Sequence, residues 1–337
     1  MRSLLILIQI AAILGCFCQS LISPNHNTYL VQPDKIIAGK PSGIVSNPTW
    51  FDLQQSTEYY YDTVRSLTEL NRPNIADSHP WISPDGLRLY YADEYYSNRL
   101  VMAQRENINS YFDAPELVNI PQTWGVSYWL SSDELQMYFT DYNYIYYTNR
   151  DAINEPFGSL QYVELDGYPL PEAFDAVSAS NDLAELFITW IENETRYILE
   201  YEGIDWLYYV YKRTLVAPEG YALCGGQLSK DDLTYYTAAS AENGKWMIYQ
   251  FTRPSVQDTF DISTFEMVGG INDTNRYNAF PSMSDGLEWV SFNRSSTDWF
   301  GLDLYLAHNG ILTNVFDPKD PPAFSFAYPN PAKELVQ

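Results

Sequence analysis

A polar turn followed by an apolar strand recurs along the chain, and this alternation predicts its architecture. The clearest copy occupies residues 83–91 and reads SPDGLRLYY. Its aspartate side chain can accept a hydrogen bond from a backbone N–H two residues further on, and glycine tolerates positive φ. The Leu- and Tyr-rich run suits a strand buried between sheets. Four weaker copies, SSDELQMYF, SNDLAELFI, SKDDLTYY and SDGLEWVSF, begin at residues 131, 180, 229 and 284.

These copies recur with a period near fifty residues, which indicates an array of small sheets. Their turn aspartates, separated by 48, 49, 49 and 54 residues, are Asp85, Asp133, Asp182, Asp231 and Asp285. A second apolar strand follows each turn and usually ends in a basic residue, at 100–105, 145–150, 207–212, 247–253 and 304–308. A short polar outer strand, such as residues 114–119, completes a four-stranded unit.

Such units can bury both faces only by packing around a common axis, so we expect an all-β propeller of four-stranded blades. A content of 46% hydrophobic residues and 29 tyrosines supplies the core between blades. Residues 60–65 and 67–70 resemble the outer strands of a further blade, whose inner strands would come from residues 28–55. Six blades are therefore favoured, and five are possible.

The SPDG phrase followed by a strand resembles the WD40-like (PD40) repeat of TolB-type β-propellers, over residues 59–315. The copy at residue 83 matches this repeat specifically, and the other copies are degenerate. The resemblance implies a propeller fold. It also implies one possible role, that of an envelope component that bridges other envelope proteins.

The start of the chain predicts export. One positive charge precedes an apolar run, residues 4–14, that is too short to span a bilayer, so residues 1–18 are interpreted as a signal peptide. Residues 13–16 loosely match a lipobox, so an outer-membrane lipoprotein acylated at Cys16 is the alternative to soluble secretion. After cleavage following Cys18, only Cys224 is left, and we expect it to be a small core residue rather than a nucleophile.

The other end carries a second export signal. The predicted propeller, residues 19–316, is followed by a proline-rich linker at 317–325. The segment FAYPNPAKELV at 326–336 is similar to the opening strand of the type A sorting domain of the type IX secretion system of Bacteroidetes. The resemblance implies a truncated start of that domain at 326–337, with the type IX machinery as a partner if the sorting domain is complete.

Charge and motifs restrict the possible chemistry. With 43 acidic and 19 basic side chains the net charge is −24, which disfavours nucleic-acid partners. The three histidines are dispersed, and the sequence contains no calcium loop, serine-hydrolase elbow or nucleotide-binding glycine motif, so we expect neither a metal nor a cofactor. Paired carboxylates would suffice for a glycoside hydrolase. An enzyme is the less favoured interpretation.

Binding is better supported by the sequence, because the loops that lead into the inner strands of a propeller gather at one mouth of its channel. Aromatic and polar side chains there suit contacts with a sugar or a peptide. The candidates are His79, Trp81, Trp124, Tyr128, Trp129, Asp175, Tyr221, Arg276 and Tyr277. For each ring the alternative is ordinary packing between blades. The Tyr-rich residues 142–144 are interpreted as either a surface platform or sheet filling.

Two hypotheses follow from the sequence. The preferred one is a secreted or cell-surface, non-enzymatic propeller that binds protein or glycan. The alternative is an exported glycoside hydrolase with paired carboxylates at the channel mouth.

Overall fold

A computed structural model describes residues 60–121, 125–168, 173–192, 195–240, 244–284, 288–295 and 301–310. These residues form 21 β-strands and one 3₁₀ turn at Glu94–Tyr96, which confirms the all-β prediction. The predicted signal peptide, Cys16, Trp124, Asp285, the linker and the segment at 326–337 lie outside the described residues.

The strands assemble into five sheets that correspond to five blades. Blade 1 contains β2 (Asp77–Ile82), β3 (Arg88–Asp93), β4 (Arg99–Gln104) and β5 (Glu116–Leu117). Blade 2 contains β6 (Ser127–Leu130), β7 (Gln136–Thr140), β8 (Ile145–Asn149) and β9 (Gln161–Tyr162). Blade 3 contains β10 (Glu164–Asp166), β11 (Ala173–Ala179), β12 (Glu185–Glu192), β13 (Thr195–Gly203) and β14 (Tyr208–Leu215). Blade 4 contains β15 (Ala222–Leu228), β16 (Thr234–Ser240), β17 (Trp246–Thr252) and β18 (Asp261–Met267). Blade 5 contains β19 (Tyr277–Met283), β20 (Trp289–Ser295), β21 (Asp303–Gly310) and, from the other end of the chain, β1 (Tyr60–Ser66).

The ring closes between blade 5 and blade 1. β1 pairs antiparallel with β21 as the outer strand of blade 5, so the two ends of the described chain share one sheet. The linker from β1 to β2 is tied to the same blade, because Asn71 Nδ2 donates to Leu304 O at 3.0 Å and Asn71 Oδ1 accepts from Leu304 N at 2.8 Å. The innermost strands β2, β6, β11, β15 and β19 contact one another in sequence, and β19 contacts β2. Five blades therefore complete a ring within the described residues.

Five is the smaller of the two expected blade numbers. The preference for six depended on assigning residues 60–65 and 67–70 to a separate blade, but Tyr60–Ser66 is the outer strand of blade 5. The inner strands proposed for a sixth blade lie outside the described residues. A second assignment was also wrong: residues 207–212 belong to the fourth strand of blade 3, β14, and β13 is its third strand. In addition, β10 joins the outer edge of this blade in parallel with β14.

The repeated turn has the hydrogen bonds that its sequence predicts. In the first four copies the Ser Oγ donates to the Asp Oδ1 at 2.5–2.7 Å. The same Oδ1 accepts the backbone N–H two residues further on at 2.9–3.1 Å. In all five copies the Ser Oγ also accepts the N–H five residues later, at 2.8–3.0 Å. The residue after the aspartate is left-handed in Gly86, Glu134, Leu183 and Asp232, with φ between 58° and 70°.

Three of these turns are also held by an arginine at the end of the third strand. Arg105, Arg150 and Arg253 each donate from Nε to the carbonyl oxygen of the left-handed turn residue, at 2.8–2.9 Å. Each guanidinium lies 4.4–4.8 Å from the ring centroid of the phenylalanine seven residues later. We call this arrangement the arginine latch. The basic residues expected at these strand ends therefore fasten the turn to the strand that returns beside it.

Replacing Arg150 with lysine should destabilise the fold although the charge is kept. Lysine cannot reproduce the Nε bond to Glu134 O, the second bond from Arg150 Nη2 to Tyr90 Oη at 3.0 Å, or the planar contact with Phe157. Because Arg150 is buried, we expect a loss of about 2 kcal/mol in the free energy of unfolding measured with urea.

The matched control is Arg276→Lys. The Arg276 side chain is 42% exposed and pairs with Asp273 at 3.3 Å, so its replacement should cost less than about 0.5 kcal/mol. Equal losses in the two variants would show that the latch does not hold the turns.

Candidate functional site

The two ends of the central channel differ in what forms them. The inner strands begin at one end, which we call the mouth face, together with the loops between the second and third strands. The Ser-Asp turns and the connections between the third and fourth strands lie at the other end, which we call the turn face. The mouth face is the end at which the sequence predicts the binding residues.

The channel contains two small cavities stacked along its axis, each of about 30 Å³. Trp81, Trp129 and Gln227 contribute to both, so they lie at the level where the cavities meet. The mouth-side cavity is also lined by His79 and Phe280. The turn-side cavity is lined by turn residues instead, including Lys230. Neither space is large enough for a sugar ring.

Side chains from neighbouring blades satisfy backbone N–H groups of the inner strands, which have no further strand beside them. The Ile82 N–H donates to Ser282 Oγ at 3.0 Å. The Met283 N–H donates to Gln227 Oε1 at 3.3 Å, and the Val177 N–H donates to Ser127 Oγ at 3.4 Å. These bonds cross from one blade to the next and hold the channel wall in a fixed geometry.

Three inner strands each carry a left-handed residue at the same position relative to the turn that follows. His79, Gly225 and Phe280 have φ of 50°, 50° and 51°, and each coincides with a β-bulge. Glycine adopts this conformation readily, but histidine and phenylalanine do so only at a cost of about 1–3 kcal/mol. The two costly residues are neighbours across the closing seam, with ring centroids 3.7 Å apart. Such bulges change the direction of side chains and are common near functional sites.

The backbone at His79 is held by Asn293 of blade 5. The His79 N–H donates to Asn293 Oδ1 at 3.0 Å, while Asn293 Nδ2 donates to Asp77 O at 2.6 Å. The imidazole is buried, and burial lowers the pKa of His79 to about 4. Neither of its ring nitrogens has a hydrogen-bond partner in the described part of the chain, and the same is true of Trp81 Nε1.

Asp175 is a buried acid near His79. Its Oδ2 accepts from Arg196 Nε at 3.0 Å and lies 3.4 Å from Cys224 Sγ. Its negative charge opposes the lowering of the His79 pKa. Cys224 is fully buried among core residues, in agreement with the structural role expected for it.

The structure brings together four of the predicted binding residues. His79, Trp81, Tyr128 and Trp129 line one cavity, although all four are buried and the last three also belong to the core between blades. Of the remaining described candidates, Asp175 is buried near His79 but does not line this cavity, and the others lie elsewhere. Tyr221 packs against Tyr249 and Phe265, with ring centroids 5.5 and 5.2 Å away.

Arg276 and Tyr277 also lie outside the cavity lining. Arg276 donates to Tyr305 Oη at 3.2 Å, and Tyr277 packs partly buried against a core cluster that includes Phe280. The grouping of all nine candidates at one site is therefore only partly realised among the described residues.

The sequence predicts only some of the exposed tyrosines at the mouth face. Tyr144, on the loop between β7 and β8, is 54% exposed, and Tyr162 of β9 is 65% exposed, with their ring centroids 5.2 Å apart. The Tyr-rich loop at 142–144 was one signal, but Tyr162 is distant in sequence, and strand pairing brings it there. The rings of Tyr95 and Tyr197 are also exposed at this end, on blades 1 and 3.

A carboxylate pair lies at the start of β2. Asp77 and Asp93 are directly opposed in the β2–β3 register, and both are buried. Arg72 forms an ion pair with Asp93, whereas its Nη2 is 3.9 Å from Asp77 Oδ1. Burial, together with the charge of Asp93, raises the pKa of Asp77 to about 8. Both carboxyl oxygens of Asp77 lack a hydrogen-bond partner among the described residues.

Two searches of the described residues found nothing. They contain no group of three or more His, Cys, Asp or Glu side chains arranged to bind a metal ion. They also contain no helix with the length and apolar character needed to cross a membrane.

The fold and the channel define a β-propeller with five blades in the described part of the chain. No known protein family and no curated protein matches the sequence. Among solved structures, an α-L-arabinofuranosidase from Podospora anserina in complex with cellotriose is 11% identical with a TM-score of 0.53, covering 75% of this chain and 98% of that chain. The catalytic domain of a GH62 α-L-arabinofuranosidase from Coprinopsis cinerea is 9% identical with a TM-score of 0.50, covering 77% and 99%. A putative TolB from Agrobacterium tumefaciens is 20% identical with a TM-score of 0.44, covering 69% and 76%. At these identities the likeness shows the fold alone.

Asp77→Asn should stabilise the protein increasingly as the pH rises. The pKa of Asp77 is raised from 3.8 in the unfolded chain to about 8 in the folded state. As the pH rises between these values, the unfolded state loses a proton that the folded state keeps, so Asp77 destabilises the fold increasingly. The difference in melting temperature between variant and wild type should grow from pH 4 to pH 8 and then level off, reaching roughly 3 °C or more.

The control for the loss of one negative charge is Asp113→Asn at an exposed position. Thermal unfolding followed by circular dichroism across this pH range gives the comparison. If the Asp77→Asn difference were the same at every pH, Asp77 would not be held as the uncharged acid.

Proposed function

We propose that this chain is an exported, non-enzymatic propeller that binds a neutral glycan at its mouth face. The observation that carries the proposal is the exposed pair Tyr144 and Tyr162, which lies at the same end as the channel mouth. Aromatic rings that are apolar on their faces and polar at one end suit sugars, which present both C–H and O–H groups.

Neighbouring residues of blade 2 hold the rings of Tyr144 and Tyr162 in position. Tyr146 lies with its ring centroid 5.1 Å from that of Tyr162, and its hydroxyl donates to Asp141 Oδ2 at 2.9 Å. Asp141 Oδ1 accepts the backbone N–H groups of Asn143 and Tyr144 at 3.1 and 2.9 Å, which fixes the loop. A ring held in place before the ligand arrives loses less conformational entropy on binding.

Charge favours a neutral ligand. A net charge of −24 repels acidic polysaccharides as it repels phosphate backbones. The planes of Tyr144 and Tyr162 are inclined by 68°, so they offer two faces to a chain with successive sugar units rather than one flat stacking surface. A protein partner is the alternative that the same exposed rings would support.

The Tyr144→Ala/Tyr162→Ala variant should bind at least about tenfold more weakly to a neutral glycan selected on an array, because two stacking contacts are removed. Tyr111→Ala is the matched control, since Tyr111 is 56% exposed but lies at the turn face. If affinity is lost equally in both variants, or in neither, the tyrosine pair is not the binding surface. Binding to no glycan, with specific retention of an envelope protein, would favour a bridging role instead.

Export and surface location belong to the same proposal. They are supported by the predicted signal peptide at residues 1–18, with Cys16 lipidation as the alternative, and by the segment at 326–337. Passage through the type IX machinery would require the complete sorting domain.

A second function is favoured by the opposed carboxylates Asp77 and Asp93. Glycoside hydrolases use two carboxyl groups, one of which is kept protonated near neutral pH, and Asp77 has that property. Under the binding proposal, chromogenic arabinofuranosides and xylosides should show no turnover. Turnover that the Asp77→Asn variant loses while it stays folded would replace the binding proposal with hydrolysis.

A further inference from the structure

We infer that the mouth-side cavity of the channel receives a single hydroxyl group of a neutral carbohydrate, with His79 and Trp81 as its hydrogen-bonding residues. This inference rests on the proposed glycan-binding function and adds to it the group that is recognised at the centre of the propeller.

Two side chains of the cavity have ring nitrogens without hydrogen-bond partners. His79 is 6% exposed and Trp81 is 4% exposed, and both line the mouth-side cavity. Within the described residues, none of His79 Nδ1, His79 Nε2 and Trp81 Nε1 has a hydrogen-bond partner. Buried polar groups are normally satisfied, so the Trp81 N–H and the unprotonated nitrogen of His79 indicate a guest that bonds to both of them.

The chemistry of the three nitrogens restricts that guest. At neutral pH the His79 imidazole is uncharged, because burial lowers its pKa to about 4, so it offers one N–H donor and one acceptor. The Trp81 indole is a donor only. An ammonium ion cannot accept from these donors, and a chloride or sulfate ion cannot donate to the imidazole. A hydroxyl group can do both, and so can water, which is therefore its competitor.

Size and surroundings favour a small group on an apolar carbon. Trp129 and Phe280 supply apolar walls beside the two polar residues. The volume of about 30 Å³ accommodates a hydroxyl and the carbon that carries it, while the rest of the sugar stays in the mouth. Asp175, the acid whose charge acts on His79, is already paired with Arg196 through Oδ2.

The strained backbone argues for a guest other than water. His79 and Phe280 are each followed by proline and each held in the left-handed region, with their rings in contact. A residue that carries a side chain is disfavoured at positive φ. Strain that a neighbouring side chain such as Asn293 maintains is characteristic of sites prepared for a ligand.

Nuclear magnetic resonance of the 15N-labelled protein tests this inference directly. The Trp81 indole signal is assigned as the one lost in Trp81→Phe, and glycerol or methyl β-glucopyranoside is added up to high millimolar concentration. We expect saturable shifts of the Trp81 indole and His79 imidazole signals with these neutral probes, and no shift with ammonium chloride or sodium sulfate.

Trp81→Phe keeps an aromatic ring but removes the N–H, so the response of His79 should weaken by about fivefold. Trp190→Phe is the matched control, because Trp190 is also buried, with an Nε1 that has no partner among the described residues, but it lines neither cavity, so the response of His79 should be retained. A shift only with ammonium or only with sulfate would replace the hydroxyl with an ion, and no shift with any probe would mean that the cavity holds water. Either result would overturn the inference about the cavity. It would leave the proposed glycan binding to be tested independently with the Tyr144→Ala/Tyr162→Ala variant.

Discussion

The fold depends on how each Ser-Asp turn is fastened at the turn face. An inner strand has a hydrogen-bonded neighbour on one edge only, so the turn that leads out of it fixes both its register and its height in the ring. In blade 2 the left-handed residue Glu134 accepts the Arg150 latch through its backbone oxygen, while its side chain accepts from Arg88 at 2.7–2.9 Å and from Tyr90 Oη at 2.6 Å. Since Arg88 and Tyr90 belong to blade 1, the same residue joins the turn to its own blade and to the preceding one.

Much of this arrangement could be predicted from the sequence because it is local. The Ser, the Asp and the N–H groups that they bind lie within six residues of one another, so the same bonds recur wherever the phrase recurs. Closure of the ring is different. Nothing near Tyr60–Ser66 marks it as a partner of a strand more than 200 residues away, and the number of blades therefore could not be fixed from the repeats alone. The third strand of blade 3 was missed for a related reason, because it lacks the terminal basic residue.

The difference between local and long-range contacts also explains which residues of the candidate site could be predicted. His79, Trp81, Tyr128 and Trp129 could be grouped because each lies a few residues before a recognisable turn, which places them at known heights on inner strands. Tyr221, Arg276 and Tyr277 begin or precede such strands, where the direction of the side chain depends on the neighbouring blade. The left-handed conformations of His79 and Phe280 depend on contacts between blades, and the pairing of Tyr144 with Tyr162 depends on strand pairing within blade 2. No local pattern records either of them.

Closure also brings both ends of the described chain to one face of the propeller. Tyr60 and Gly310 are register partners in blade 5, at the end of that sheet nearest the turn face. The described chain therefore begins and ends at one corner of the propeller, on the side opposite the mouth. The exposed tyrosines and the channel opening therefore lie at one face of the propeller, because the loops between second and third strands gather there. The ends of the described chain and the arginine latches lie at the other face, because ring closure and the repeated turns share that end of the sheets.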